Sequence, residues 1–389
     1  MMVIHLKKEK DKPLRMGHPW VFSGAIARVE DEGEPGEICS VKSSSGEPLG
    51  TGFYNPYSAI RVRMLTNRNG RFDGTELCRR ITGAAARRAA LLDGATDSCR
   101  LVNSEGDRLP GLIVDKYATG LCIQIQAAGM ERLRPAILEC LARNLSPAFI
   151  CERSDADARQ REGLPGAGGL LSGTIPSPLV VRENGLRFNA DITTGQKTGF
   201  FLDQRDNRRL FKSYAAGKTV CDCFCYSGGF SVYGLCAGGR SGVLVDTSDD
   251  ALAAARANCG LNDIDNGKYE TVKADVFDWL RKTDRSFDCI VLDPPKFARH
   301  KGEVDAAARG YKDINLLAFK KSAAGGIVFT FSCSNAVDPT LFRQIVFAAA
   351  ADSGRFVQVL HVLSAGEDHP FNIAHREGEY LKGLVLRVQ

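Results

Sequence analysis

Polar residues that could bind or attack a ligand follow five successive apolar segments in the last part of the 389-residue chain. Each segment has the length and composition of a buried strand. Ligands on open α/β sheets bind at the carboxyl ends of the strands, so the pattern predicts one site where these residues meet. They are Asp222, Tyr226 and Gly228 after the first segment, Asp246 after the second, Asp275 and Val276 after the third, Asp293 and Pro294 after the fourth, and Cys333 after the fifth.

The acids in this pattern suit a nucleoside ligand. A glycine turn between strand and helix lets the backbone approach a ligand closely, although many such turns are only tight turns. Asp246 lies 18 residues after Gly228, where an acid typically holds a ribose diol or caps the next helix. Asp275, beside an apolar residue, suits an adenine amino group and ring, and helix capping explains it equally well.

The segment Asp293-Pro294-Pro295 is the most specific of these signals. Two prolines after an acid, just past an apolar strand, form a stiff loop at the mouth of a site. Nicotinamide oxidoreductases have no use for this loop, and their Gly-x-Gly-x-x-Gly fingerprint is absent. Cys333 follows the next predicted strand. A free cysteine is a strong nucleophile although only a few per cent of it is thiolate near neutral pH, so a nucleophilic and an inert Cys333 both fit the residues alone.

Two basic segments are candidates for phosphate contacts. Solvated surfaces account for most such runs. A net charge of +5 is compatible with a nucleic-acid partner without requiring one. The first segment flanks the Asp293 loop and contains Pro295, Lys296, Phe297, Arg299 and Lys301; the second is a predicted helix over 77–92 that carries Arg79, Arg80, Arg87 and Arg88.

The thirteen cysteines are expected to be reduced thiols, because most lie inside apolar runs. Cys221, Cys223 and Cys225 alternate and should share one face of a strand. Metal sites usually pair cysteines across a turn, so we expect small residues packing under a helix and no metal. No apolar run is long enough for a transmembrane helix, and the N-terminus lacks a signal peptide. These features predict a cytoplasmic protein with no membrane partner.

Three regions are expected to position these residues. Residues 1–70 alternate short strands with turns, which indicates a small β-barrel. Residues 74–185 combine two helices with a hairpin and a further strand, an α+β pattern, and the glycine-rich residues 163–173 are predicted to be a loop. Residues 186–389 alternate strands with helices, which predicts an α/β fold with an open, largely parallel, doubly wound sheet.

The whole chain resembles the ribosomal RNA large-subunit methyltransferase I family. The resemblance implies an N-terminal PUA domain, which is an RNA-binding β-barrel, then an α+β middle domain and a Rossmann-like class I methyltransferase domain. The matching segments span nearly the full chain in order: GHPWVFSG at 17–24, GDRLPGLIVD at 106–115, TGQKTGFFLDQR at 194–205, DCFCYSGGF at 222–230, DPPKF at 293–297 and SCS at 332–334.

The resemblance also implies a cofactor, a partner and a reaction. The cofactor is S-adenosylmethionine, with Tyr226 and Gly228 along its methionine part, Asp246 on the ribose and Asp275 on the adenine. The partner is large-subunit ribosomal RNA, in which Cys333 would form a covalent adduct that leads to 5-methylcytosine, while Asp293 contacts the base. Exposed strand edges would permit a homodimer. The segment expected to line the cofactor pocket from outside the sheet includes Thr198, Gly199, Phe200, Asp203 and Arg205.

Alternatives remain open at this point. Many other RNA cytosine methyltransferases place a second cysteine where this chain has Pro295, so the group that removes the carbon-5 proton is unassigned. The Asp-Pro-Pro motif is also similar to that of enzymes that methylate ring or exocyclic nitrogens, for which Cys333 would be dispensable. A non-catalytic RNA-binding assembly factor is a third interpretation, which the intact acids at Asp246, Asp275 and Asp293 disfavour.

Overall fold

The computed structural model describes residues 2–67, 70–193, 199–298 and 300–389. Two compact units divide the chain. Unit 1 comprises Met1–Val181, Ala190–Leu202 and Glu367–Gly378, and unit 2 comprises Arg182–Asn189, Asp203–Gly366 and Glu379–Gln389. The finer division into three domains at residues 70–74 and 185–186 stays a prediction.

The N-terminal part of unit 1 is a six-stranded sheet with the order β2-β6-β5-β4-β1-β3. Alternating apolar side chains such as Ile4, Val41 and Val62 are buried along its strands, as the period of a half-buried strand requires. The elements are β1 (Val3–Leu6), α1 (Lys12–Arg15), β2 (Trp20–Phe22), β3 (Ile26–Glu30), β4 (Ile38–Lys42), β5 (Pro48–Tyr54) and β6 (Ile60–Asn67).

The second part of unit 1 is a five-stranded sheet with the order β11-β10-β9-β8-β7 and its own helices. The helix predicted over 130–145 is interrupted at Leu133, and a new helix begins at Arg134 with Pro135 in its first turn. The elements are α2 (Gly74–Arg87), β7 (Cys99–Asn103), β8 (Leu112–Tyr117), β9 (Gly120–Ile125), α3 (Ala128–Arg132), α4 (Arg134–Leu145), β10 (Phe149–Arg153), α5 (Ala156–Arg161) and β11 (Gly168–Gly173).

Two expectations for this part of the chain are wrong. Residues 163–173 are not all loop, since Gly168–Gly173 pairs antiparallel with β10 as an exposed edge strand. The pairing uses backbone groups, which glycine supplies as well as any residue. Cys78 of α2 and Cys140 of α4 form a disulfide with their Cα atoms 5.6 Å apart. Spacing along the sequence does not reveal that these two helices pack together.

Unit 1 is completed by a segment from far along the chain, Glu367–Gly378. The backbone N–H of Arg100 donates to Asp368 Oδ2 at 2.9 Å, and the guanidinium of Arg88 donates to the Asp368 carbonyl oxygen at 3.1 Å. The amide of Asn103 donates to the Pro370 carbonyl oxygen at 2.8 Å. The sheet of β7 to β11 therefore obtains several of its polar partners from this distant segment.

Unit 2 is built on a seven-stranded sheet with the order β16-β15-β14-β17-β18-β20-β19. Its first five strands are parallel to one another, and β20 pairs antiparallel with both of its neighbours, β18 and β19. After a two-stranded sheet of β12 (Val180–Glu183) and β13 (Leu186–Asn189), the elements are α6 (Arg205–Ala215), β14 (Thr219–Cys223), α7 (Gly229–Cys236), β15 (Ser241–Asp246), α8 (Asp249–Leu261), β16 (Tyr269–Lys273), α9 (Val276–Lys282), β17 (Phe287–Leu292), α10 (Val304–Lys321), β18 (Ser322–Ser332), α11 (Pro339–Ser353), β19 (Val357–Ser364) and β20 (Lys382–Val388).

The large sheet confirms the predicted α/β architecture. Its central strands are almost continuously buried, with Cys221, Val243, Ile290 and Val328 all fully enclosed, because helices cover both faces of a parallel sheet. The carboxyl ends of β14, β15, β17 and β18 consequently lie along one edge. None of the helices in the described residues is long and apolar enough to span a membrane.

Candidate active site

The turn between β14 and α7 has an unusual backbone. Phe224 and Tyr226 have φ values of 60° and 46°, and Gly228 has 72°. A left-handed conformation costs a non-glycine residue of order 1–3 kcal/mol, and such residues cluster at functional sites. The N–H of Tyr226 donates to Asp246 Oδ2 at 3.0 Å. The acid at the end of β15 therefore helps to hold this turn at the end of β14.

Asp222 is buried beneath the same turn. Its Oδ2 accepts hydrogen bonds from the N–H and the hydroxyl of Ser231, at 3.0 and 2.7 Å. Burial raises the pKa of Asp222 to about 7, the charges of Asp293 and Asp246 act in the same direction, and the Ser231 hydrogen bonds oppose them. Three carboxylates thus act on one another at this edge of the sheet, and their combined field favours a cationic ligand.

The structure separates the alternatives for two of these acids. Ser248, not Asp246, caps α8, and the two oxygens of Asp246 accept from the N–H groups of Tyr226 and Ser248 at 3.0 Å each. Asp275 does cap its helix, since it accepts from the N–H of Asp278 at 3.0 Å. Val276 is buried in the core. The predicted contacts of Asp275 and Val276 with an adenine ring stay predictions.

Cys333 and Asp293 follow neighbouring parallel strands, β18 and β17. The amide of Gln204 donates to Asp293 Oδ2 at 3.0 Å. The sulfur of Cys333 lies 4.0 Å from the carbonyl oxygen of Pro294, and Cys333 is half-buried. The structure therefore brings the predicted nucleophile beside the stiff loop. Within that loop Pro294 is buried, Phe297 is half-buried, and Pro295 and Lys296 are exposed.

Sequence reasoning missed a group of residues behind Cys333. Lys382, at the start of β20, is 4% exposed, and its Nζ donates to the Ser334 carbonyl oxygen at 2.7 Å. The Ser334 hydroxyl is 3.1 Å from the Tyr311 hydroxyl and accepts from the N–H of Ala298 at 3.3 Å. A lysine inside the apolar segment 381–388 was the available signal, because a buried charge requires partners.

The segment predicted to line the cofactor pocket divides between the two units. In unit 2, Asp203 accepts from the Tyr380 hydroxyl at 2.6 Å, and Arg205 is buried. In unit 1, Gly199 has φ of 86°, and a Cβ there would stand 2.2 Å from the Asp191 carbonyl oxygen, so only glycine fits. The carbonyl of its neighbour Phe200 accepts from a tyrosine hydroxyl. Thr198, Arg299 and the side chain of Lys301 lie outside the described residues.

The three closely spaced cysteines do not share one environment. The sulfurs of Cys221 and Cys223 are 3.5 Å apart in the core under α10. Cys225 packs in a different cluster with Leu244, because the left-handed Phe224 redirects the chain. The expectation that all three share a face is therefore wrong for Cys225. Among the described residues, no group of three or more His, Cys, Asp or Glu side chains could hold a metal ion.

The four arginines of α2 and its C-terminal end line a cavity of about 520 Å³ in unit 1. Arg80 and Arg88 are engaged in the fold: Arg80 donates to Glu76 and two backbone carbonyls, and buried Arg88 forms a bidentate pair with Asp107. The side chains of Arg79 and Arg87 are 71% and 60% exposed and also pair with acids.

Arg108 is a fifth arginine at this cavity that sequence reasoning overlooked. It is exposed in a left-handed conformation with φ of 58°, and within the described parts of the chain its side chain has no hydrogen-bond or ion-pair partner. The cavity thus presents Arg79, Arg87 and Arg108 to solvent over a layer of buried ion pairs. Such a surface favours anions, and guanidinium groups match phosphate geometry.

The fold and the carboxylate-rich turn define a class of protein, the S-adenosylmethionine-dependent methyltransferases. A family model described as S-adenosylmethionine-dependent methyltransferase matches residues 107–370, and a PUA-like domain model matches residues 4–67. The solved structure of SMU.776 complexed with SAH is similar over 100% of both chains, with a TM-score of 0.88 at 21% identity. A second solved chain, from Streptococcus mutans, has a TM-score of 0.87 at 20% identity over the same extent.

Similarity to curated relatives identifies the family within this class of methyltransferases. The chain is 42% identical over 391 residues to the ribosomal RNA large subunit methyltransferase I of Shewanella amazonensis, and 44% identical over 395 residues to that of Aeromonas hydrophila, with 99% of every chain covered. The chain therefore belongs to the ribosomal RNA large subunit methyltransferase I family, uses S-adenosylmethionine as its cofactor and begins with a PUA-like domain. The resemblance of the sequence to this family is confirmed.

Proposed function

We propose that the protein forms 5-methylcytosine in large-subunit ribosomal RNA, with Cys333 as the covalent nucleophile. One observation carries the proposal: among the described cysteines outside the disulfide, Cys333 stands at the carboxyl end of β18, is half-buried and not fully enclosed, and lies beside the Asp293-Pro294 loop. Cys236, which is exposed, lies at the end of α7. Burial raises the pKa of the Cys289 thiol to about 12, so core cysteines of this kind remain protonated.

The residues at this edge of the sheet fit S-adenosylmethionine. The cofactor supplies a methyl group on a positively charged sulfur, and its methionine part carries an ammonium group. The carboxylates of Asp246 and Asp293 supply the opposite charge, whereas Asp222, whose pKa burial raises to about 7, is only partly ionised near neutral pH. The left-handed turn from Phe224 to Gly228 brings backbone close to the site. Asp246 would hold the ribose, since its carboxylate is not used to cap a helix.

Cys333 would make carbon 5 of cytosine reactive. Its thiolate adds to carbon 6 of the ring, forming the carbon–sulfur bond and placing electron density on carbon 5. Carbon 5 would take the methyl group of the sulfonium, which departs as a neutral thioether. Carbon 5 then loses its proton to water, and the electron pair of that C–H bond restores the ring double bond as the Cys333 sulfur leaves as a thiolate. Asp293 would hydrogen-bond the Watson–Crick edge of the base and favour protonation of N3, which assists the addition, and the amide of Gln204 donates to its Oδ2.

The RNA contacts are proposed for two surfaces. Pro295 and Lys296 are exposed beside Cys333 in unit 2, where a flipped-out base has to enter. In unit 1 the arginine cavity offers Arg79, Arg87 and Arg108 to backbone phosphates. Contacts of this kind position an RNA chain without reading its sequence.

The test is transfer of labelled methyl groups from S-adenosylmethionine to transcribed large-subunit ribosomal RNA, followed by digestion to nucleosides. The wild-type protein and Cys236→Ala, the control for an accessible cysteine away from the sheet edge, are expected to label 5-methylcytidine. Cys333→Ala is expected to give no product. Cys333→Ala should still bind the cofactor, which separates lost chemistry from lost folding.

Two other outcomes would replace the proposal. Label in a methylated guanosine or adenosine that persists in Cys333→Ala would establish a nitrogen methyltransferase with the same Asp-Pro-Pro loop. Cofactor-independent RNA binding with no transfer to free RNA or to ribosomal particles would support the non-catalytic assembly factor. Neither outcome changes the family to which the chain belongs.

A further inference from the structure

A buried lysine lies behind the proposed nucleophile in unit 2. Lys382 is 4% exposed, and it stands opposite Ser332 in the antiparallel pairing of β20 with β18. Its Nζ donates to the Ser334 carbonyl oxygen at 2.7 Å. Ser332 and Ser334 flank Cys333 in the sequence. Lys382 is therefore hydrogen-bonded to the three-residue segment that carries the sulfur.

The surroundings of Lys382 act on its pKa in opposite directions. Burial lowers the pKa of Lys382 to about 8, and the largest opposing influence is the charge of Cys333. Glu379 and Asp338 also raise the pKa of Lys382, while Lys296 lowers it. On the other side, the Tyr311 hydroxyl contacts Ser334 and also senses the charge of Cys333. A buried ammonium has a desolvation cost, which an anion nearby offsets.

We propose that Lys382 is a positioning residue for Cys333, whose ammonium charge stabilises the thiolate of Cys333 and whose hydrogen bond to Ser334 fixes the segment that carries the sulfur. The inference rests on the proposed function in one respect only, namely that the Cys333 thiolate serves to attack cytosine. The ionisation itself is a property of the protein without RNA. In this ionisation the thiol proton passes to solvent, or to the neutral Lys382 amine at high pH, and no other co-reactant is needed.

Lys382 would also stabilise the Cys333 sulfur when the covalent adduct breaks. When the adduct breaks, the bonding pair returns to the Cys333 sulfur as a thiolate, which is the charge that a neighbouring ammonium stabilises. The same residue therefore favours both the attacking and the departing form of the sulfur. A neutral residue at position 382 would remove this effect.

The test measures the ionisation of Cys333 in the full-length protein by its rate of alkylation with iodoacetamide from about pH 5.5 to about pH 9.5, a range that includes the ordinary cysteine pKa of about 8.5. The product is read by mass spectrometry of the Cys333 peptide. Lys382→Gln removes the charge and keeps a donor for the Ser334 carbonyl. Lys382→Arg keeps the charge. We expect the midpoint for Cys333 to rise by about one pH unit in Lys382→Gln, which is about tenfold slower alkylation at neutral pH, and to stay near the wild-type value in Lys382→Arg.

Cys236 is the internal control, because it is exposed at the end of α7 and its alkylation profile should be the same in all variants. An unchanged Cys333 midpoint in Lys382→Gln, or an equal rise in Lys382→Arg, would overturn the proposal. Lys382→Met serves in the same assay if the Gln variant is not folded, as judged by cofactor binding. A shifted midpoint together with absence of 5-methylcytidine would refute the proposed function and leave the Lys382–Cys333 pair standing.

Discussion

The carboxylate of Asp246 accepts a hydrogen bond at 3.0 Å from the backbone N–H of Tyr226, a residue held in the left-handed region at φ of 46°. The acid at the end of β15 and the turn at the end of β14 thus stabilise one another. The second oxygen of Asp246 accepts from Ser248. A change at Asp246 should therefore disturb the shape of the turn and, with it, the proposed ribose contact.

Asp246→Ala is expected to weaken binding of S-adenosylmethionine by about 10- to 100-fold, the loss that follows from one or two charge-assisted hydrogen bonds. Isothermal titration calorimetry measures it. Asp249→Asn is the matched control, because Asp249 is exposed at the start of α8 and pairs with Lys273. Equal affinity in Asp246→Ala and the control would contradict the assignment of Asp246.

Asp222 predicts a pH dependence of stability in the ligand-free protein. Its pKa is raised by burial to about 7, above the value near 4 of an unfolded chain. Between these two values the folded state holds a proton that the unfolded state has lost, so stability falls as pH rises from about 4 to 7, by at most about 1.4 kcal/mol per pH unit. Asp222→Asn keeps an acceptor for Ser231 and cannot ionise.

Urea unfolding at several pH values checks this expectation. The difference in unfolding free energy between Asp222→Asn and the wild-type protein should grow in favour of the variant as pH rises to 7. Other titrating groups cancel in this difference. Parallel stability curves for the two proteins would show that Asp222 does not titrate in this range.

The buried ion pair beneath the arginine cavity should matter for stability. Asp107 accepts from Arg88 through both oxygens at 2.8 Å and from the N–H of Asn103 at 2.7 Å. Asp107→Ala leaves the buried Arg88 without its counter-charge, which costs about 3–5 kcal/mol. Glu139→Ala breaks an exposed pair with Arg143 and should cost under about 1 kcal/mol in the same urea titration. Similar losses in both variants would contradict the expectation.

Removal of exposed arginine charges from the cavity should weaken RNA binding without unfolding the protein. Arg87→Gln and Arg108→Gln are each expected to reduce the affinity for ribosomal RNA, and to lower the slope of log affinity against log salt by about one. Arg143→Gln, 74% exposed on α4 and outside the cavity, is the control. Fluorescence anisotropy at several salt concentrations measures the slopes. Unchanged slopes in the cavity variants would place the phosphate contacts elsewhere.

The positions of Asp293 and Cys333 could be predicted from the sequence because both follow continuous apolar segments, and parallel strands end at one edge. The same logic could not find Lys382 as a partner, since its strand returns antiparallel and the pairing with Ser332 depends on tertiary contacts. Four neighbouring arginines on α2 were visible as a group. Their division into buried and exposed members was not, because it depends on how Arg80 and Arg88 pack against distant groups, the Arg108 carbonyl and the Asp107 carboxylate.

Glycine-containing segments predicted the local backbone structure correctly at Gly228 and incorrectly at Gly168–Gly173. Gly228 was predicted to lie in a ligand turn, and its φ of 72° with Ala255 close by shows why a larger residue would not fit. Gly168–Gly173 was predicted to be a loop and is an edge strand, because β10 offered a free row of backbone groups for pairing. The glycine content of a segment predicts which backbone conformations it can adopt. It does not predict the strand with which that segment pairs.

The return of Glu367–Gly378 to unit 1 has a consequence for biosynthesis. During translation the residues of α2 and β7 leave the ribosome long before Asp368 exists, so the N–H of Arg100 and one donor of Arg88 must wait for their acceptors. Contacts that join such distant parts of a chain form slowly. Unit 1, which begins to emerge first, is therefore completed only near the end of synthesis, and its sheet of β7 to β11 stays incomplete until then.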